Sequence, residues 1–102
     1  MPLPIPTYDT TRAYDENFAS GPTYSGPFPA LPEPKELYSF LGFRLASPIG
    51  IPAGPLLNSA YIDLYGKLGW DVPVYKTVRS IPRACHPAPN YRYAARFPGP
   101  RR

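Results

Sequence analysis

Ser47-Pro-Ile-Gly-Ile-Pro-Ala-Gly-Pro-Leu-Leu-Asn-Ser59, followed downstream by Val74-Tyr-Lys-Thr-Val-Arg-Ser80, decides how this chain folds. Ile49-Gly-Ile51 reads as a short buried strand, entered through the Ser47-Pro48 turn. Pro52 and Pro55 bracket Ala53-Gly54, and small residues at a strand end let a backbone approach a ligand closely. Asn58 or Ser59 can cap a following helix by accepting its first free N–H groups. Tyr61, Leu64, Tyr65 and Leu68 fall at i, i+3, i+4 and i+7, which puts them on one helical face. Gly69 stands just past the end, where a left-handed cap is usual. Val72-Pro-Val-Tyr-Lys-Thr-Val78 is the second strand, with Pro73 near its beginning because proline cannot donate to a ladder. Strand, helix and strand in so short a span predict a right-handed parallel crossover, hence an α/β class.

Outward from this unit, Leu37–Leu41 and Phe43–Ala46 are β-prone runs meeting at Gly42, which predicts a hairpin. Residues 1–35 hold eight prolines and the aromatics Tyr8, Tyr14, Phe18, Tyr24 and Phe28. Proline removes donors and biases the preceding residue to extended geometry, so the expectation is an extended arm. Such an arm serves either as a free interaction peptide or as a strap with its aromatics against a folded body. The aromatic density favours the strap, since solvated linkers are poor in aromatics. After Ser80, prolines at 82, 87, 89, 98 and 100 predict loop and tail. The expected organisation is therefore an arm at 1–35, a hairpin and βαβ unit at 36–80, and a Pro/Arg-rich loop and tail at 81–102.

With 102 residues, the chain is long enough for one small domain of marginal stability. Seventeen prolines and eight glycines reach the range of low-complexity sequence, but they concentrate in the flanks. Charge is uneven too. Residues 1–71 carry four basic and seven acidic side chains, whereas 72–102 carry seven basic and none acidic. A basic tail can attract phosphates, yet these arginines are spaced among prolines without the clustering of a nucleic-acid module. A single Cys85 excludes an intramolecular disulfide, and one Cys with one His cannot make a zinc site. There is no run of 18 apolar residues and no secretory pattern, so the default setting is cytoplasmic.

Lys76 is the first candidate for chemistry, a lysine inside an apolar strand near its C-terminal end. Sites in parallel α/β barrels form at that end. A lysine buried there needs an anion or acceptors; a lysine pointing outward would instead lay its stem over apolar surface. Asn58 reads first as a helix cap. His86-Pro-Ala-Pro-Asn90 is a rigid loop that could present polar groups, and Cys85 reads as inert. No phosphate-binding glycine loop, nucleophile elbow or metal pattern occurs.

The segment from Glu36 to Asn90 resembles the N-terminal part of FMN-dependent dihydroorotate dehydrogenases and their dihydropyrimidine-dehydrogenase-like relatives. The resemblance rests on Ser47-Pro-Ile-Gly-Ile51, Ala53-Gly-Pro-Leu-Leu-Asn58, Leu68-Gly-Trp70, Tyr75-Lys-Thr77 and His86-Pro-Ala-Pro-Asn90. It implies the start of a (β/α)8 barrel, with the hairpin closing its bottom. It also implies that Ala53, Gly54, Lys76 and Thr77 lie at FMN, with Lys76 and Asn58 on the side of a pyrimidine-type substrate. His86 and Asn90 stand where the family has an Asn-Pro-x-Pro-Arg type loop and depart from its polar ends.

The reaction implied is removal of a proton and a hydride from a dihydropyrimidine, the hydride passing to the flavin. The family's base lies on a later loop, so no catalytic residue is expected within this chain. Two strands cannot close a barrel, and their open edges invite association, whether with another copy or with a partner subunit. The Arg/Pro/Gly-rich ending at 91–102 reads as a truncated or frame-shifted continuation, which predicts a chain inactive alone. The alternatives are a non-catalytic Pro/Tyr-rich interaction module and a basic nucleic-acid-binding tail.

Overall fold

A computed structural model of the chain describes residues 6–31, 33–88 and 90. In chain order the elements are α1 (Tyr14–Ser20), β1 (Tyr38–Phe40), β2 (Phe43–Leu45), β3 (Gly50–Ile51), α2 (Ser59–Lys67) and β4 (Val72–Pro73). The strands form two sheets of two, β1 antiparallel to β2 and β3 parallel to β4. This is a small α/β unit, and no barrel is formed among the described residues. The expected ending at 91–102 lies outside them.

The hairpin forms as its residues predict. Tyr38 pairs with Leu45 and Phe40 with Phe43, so Leu41-Gly42 is a two-residue turn. Both turn residues have positive φ, 50° at Leu41 and 82° at Gly42, the combination whose twist matches flanking antiparallel strands. Asp71 ties the hairpin's exit to the parallel pair. Its Oδ2 accepts from the Ala46 N–H at 2.6 Å and the Ser47 N–H at 2.9 Å. These donors leave β2 just where the chain turns toward β3.

The parallel pair is short because β3 and β4 meet only at Gly50–Val72 and Ile51–Pro73. One more bond, from the Val74 N–H to the Ile51 carbonyl at 3.0 Å, extends it. Donors on one side of a strand alternate, so Pro73, which has none, faces away from β3. The expected strand through Val78 is not formed: beyond Val74 there is no partner strand among the described residues, and Val74, Tyr75 and Val78 are exposed.

Helix α2 obeys its sequence signals at both ends. Asn58 Oδ1 accepts from the Ala60 N–H at 3.1 Å. At the other end Gly69 adopts φ 101°. Its N–H bonds the Gly66 carbonyl at 3.0 Å while the Trp70 N–H bonds that of Tyr65 at 3.1 Å. Those two bonds are the paired closure of a left-handed helix end. Tyr61 and Leu64 on the predicted face are buried, and Tyr65 and Leu68 are half-buried.

The core gathers Tyr8, Ile51, Leu56, Leu57 and Tyr61, with Tyr14, Ile62, Tyr65 and Trp70 packed around it. Tyr8 and Tyr14 come from the arm, so the arm is a docked strap. Its extended character needs correction at Tyr14–Ser20, which is helical. That segment is proline-free, lying between Pro6 and Pro22. Glu16 Oε2 accepts from the Ala13 N–H at 2.8 Å to start the turn, and Gly21 at φ 77° ends it. Phe18 and Phe28 stay about half exposed; Phe28 lies under the Lys67 ammonium, 5.9 Å from its ring centre.

Asn17 organises the strap. Its side chain is fully buried. Oδ1 accepts from the Asp9 N–H at 2.8 Å, and Nδ2 donates to the carbonyls of Asp9 and Ala13, both at 3.0 Å. The Asn17 carbonyl in turn accepts from Tyr61 Oη at 3.0 Å, joining α1 to α2. Asn17→Ala strands several backbone groups away from water and is expected to cost about 2–3 kcal/mol, read from urea denaturation.

Candidate functional site

Lys76 sits just past β4, and its ammonium turns back across the sheet to the end of β3. Nζ donates to the Gly54 carbonyl at 2.9 Å and to the Ala53 carbonyl at 3.3 Å. The local sequence explains this reach. Ile51-Pro52 ends β3, and the tight turn at Ala53–Pro55 points its carbonyls toward the neighbouring parallel strand. A further turn bond, from the Leu56 N–H to the Ala53 carbonyl at 3.1 Å, fixes that geometry. Lys76 is half-buried, so its stem is covered while its charge is held by acceptors. The buried reading of Lys76 called for an anion or acceptors; the acceptors found are backbone carbonyls of the preceding strand's turn.

Three of the four residues assigned to the cofactor, Ala53, Gly54 and Lys76, are therefore in direct contact. Thr77 is not part of that contact; with Lys76 it lines an open cleft of about 760 Å³, whose lining does not include Ala53 or Gly54. One wall of that cleft is Tyr14 and Asp15 of α1; the other is formed by Lys76, Thr77, residues 79–86 and Asn90. The Lys76 ammonium lies 5.9 Å from the centre of the Tyr14 ring, a cation–π distance. Burial raises the Tyr14 pKa above its ordinary value, with the nearby Asp15 carboxylate adding to the effect. Arg79, Arg83 and His86 line the same cleft, where Asp15 is the acidic lining residue, so the cleft favours an anionic ligand.

Asn58 is placed apart from that group. Its Oδ1 caps α2 and its Nδ2 donates to the Phe18 carbonyl at 2.9 Å. The amide thus joins α1 to α2 as well as capping, a bond no spacing in the sequence could announce. Cys85 is exposed, and the Asn90 Nδ2 donates to its sulfur at 3.3 Å. Among the described residues no cluster of His, Cys, Asp or Glu could hold a metal ion, and no helix is long and apolar enough to cross a membrane.

Tyr61 is the most strongly perturbed acid near this region. Burial pushes its phenol up to about 12, aided by the neighbouring phenols of Tyr8 and Tyr14. A raised folded-state pKa favours the neutral form, so its contribution is complete below pH 10. It is lost as pH rises through the window from 10 to about 12, at about 1.4 kcal/mol per pH unit. Tyr61→Phe is expected to flatten that alkaline limb in denaturation curves taken from pH 9 to 12.

An α/β unit that carries a strand-end lysine over a small-residue turn is what the dihydroorotate dehydrogenase resemblance calls for. The comparison with curated proteins agrees with it. The chain is similar to the dihydroorotate dehydrogenase of Dictyostelium discoideum, 41% identical over 97 residues. The matched stretch is 90% of this chain but 26% of that relative, so the chain spans about a quarter of the relative's length. The recognition made from five short motifs is thus supported across nearly the whole chain, including the arm. No protein-family model matches the chain, and no solved structure matches it.

Proposed function

We propose that this chain is the N-terminal portion of an FMN-dependent oxidoreductase that takes two electrons from a dihydropyrimidine, in the manner of a dihydroorotate dehydrogenase. The observation that carries this reading is the Lys76 clasp on the Ala53 and Gly54 carbonyls, found in a chain 41% identical to such an enzyme. In this reading β3 and β4 are the first strands of a (β/α)8 barrel, and the site opens at their C-terminal ends.

The donor set fits a flavin's polar edge. Lys76 gives two of its three N–H bonds to carbonyls, leaving one for an acceptor. Thr77 adds a hydroxyl, and Ala53 and Gly54 keep side-chain bulk away from the place where a flat ring would lie. Bound FMN would supply the two-electron redox chemistry. The chain's own residues bind and orient: Lys76 places a fixed positive charge at the ring and substrate edge, whereas Asn58, first expected on the substrate side, is engaged in capping α2 and holding the Phe18 carbonyl. The proton-abstracting base and the phosphate site are assigned to the rest of the enzyme, so the chain alone is expected to be inactive.

The reading is tested by titrating FMN into the isolated chain and following the flavin absorption and fluorescence. Binding weaker than about 100 µM is expected, since a pocket must enclose most of its ligand to hold it tightly. Nanomolar binding by the chain alone would contradict the assignment of most of the site to the other three quarters of such an enzyme. The similarity to an enzyme lends no support to a free interaction peptide or a nucleic-acid-binding tail.

A further inference from the structure

Residues 77–88 form no helix or strand and are exposed throughout, running along one wall of the cleft. Among the described residues, the contact that returns this loop to the folded body is made by Asn90. Tyr8 Oη donates to Asn90 Oδ1 at 2.8 Å, across 82 residues of sequence. Tyr8 belongs to the core and is only 8% exposed, so its hydroxyl is a fixed point. Asn90 uses its other end inward, donating to the Cys85 sulfur at 3.3 Å. One amide therefore holds the loop's end to the strap and its middle to itself.

We propose that Tyr8 and Asn90 form a latch by which the N-terminal strap positions residues 77–88 as a wall of the Lys76 cleft. Both are positioning residues: they set where Arg79, Arg83 and His86 stand relative to Lys76. Tyr14, six residues after Tyr8 in the same strap, contacts the Lys76 ammonium directly. The strap thus fixes both walls of the cleft, and a change at residue 8 is transmitted to a loop more than 70 residues away. The meaning of the latch for ligand binding rests on the function proposed above, whereas its existence does not.

Limited trypsin digestion of the full chain separates the two. Cleavage after Arg79 and Arg83 reports opening of the loop, and cleavage after Arg44 in the hairpin reports loosening elsewhere. Proteolysis of a rapidly opening segment tracks its open population. Tyr8→Phe keeps the ring in the core and removes only the hydroxyl. It is expected to speed cleavage at Arg79 and Arg83 about fivefold, the effect of one net hydrogen bond, with Arg44 unchanged. Asn90→Ala should do the same, and the double variant should add nothing further. Asn90→Asp, which keeps the acceptor, should stay near the parent rate. Unchanged cleavage in Tyr8→Phe, an equal rise at Arg44, or additive effects in the double variant would each overturn the latch. No flavin enters this test, so its failure would leave the proposed function standing.

Discussion

Gly50→Val is expected to unfold the chain. A Cβ at position 50 would lie 2.6 Å from the Val72 carbonyl oxygen and 3.0 Å from its Cβ. Both belong to the strand that pairs with it in register, so nothing flexible can give way. The parallel pair would have to separate, taking with it the Ile51–Val74 bond and the reach of Lys76 to Ala53 and Gly54. Overpacking of this kind costs about 3 kcal/mol or more, a large share of the stability of so small a domain. Far-UV circular dichroism during urea denaturation checks it. A variant with the parent's midpoint would show that β3 and β4 do not pack as described.

The second large effect is on activity. When this chain replaces the matched quarter of the Dictyostelium enzyme, Lys76→Met is expected to lower kcat/KM at least about a hundredfold. That is the scale for losing one preorganised donor in a closed site. Methionine keeps the stem's apolar packing and removes the charge. Stability should fall far less than activity, since the ammonium's two carbonyl bonds are partly exposed and replaceable by water. Equal activity of the Lys76→Met chimera would remove Lys76 from the site.

The parts of this fold that could be read from sequence are those specified locally. Helix α2 carries its own cap at Asn58, its own apolar face and its own stop at Gly69, and each signal took effect. The hairpin followed from two β-prone runs around Leu41-Gly42. Helix α1 could not be read, because nothing in seven residues repeats. It is held by the buried Asn17 amide and by Tyr61, from 44 residues away. Asp71 was similarly silent: a single carboxylate after Trp70 gives no hint that it will collect two N–H groups from the end of β2.

The candidate site divides the same way. Small residues at one strand end and a lysine at the next pointed to a shared ligand edge, and the fold brings them into hydrogen-bond contact. That the lysine would clasp the turn's carbonyls depends on the parallel register of β3 and β4, which no spacing encodes. The strand was expected to run to Val78 because its residues are β-prone. A strand needs a neighbour, however, and past Val74 none is present among the described residues. The exposed Val74, Tyr75, Val78 and Ile81, together with Phe40 and Phe43 of the hairpin, are the apolar surface that such neighbours would cover.

If this chain supplies the opening segment of a dihydropyrimidine-oxidising flavoenzyme, it must work in that enzyme's place. A chimera in which the chain replaces the matched quarter of the Dictyostelium relative, assayed anaerobically for bleaching of the flavin absorption by dihydroorotate, decides this. Bleaching to the reduced flavin, abolished or slowed at least about a hundredfold by Lys76→Met, is the predicted result. A folded, flavin-loaded chimera whose absorption dihydroorotate leaves unchanged would contradict the claim.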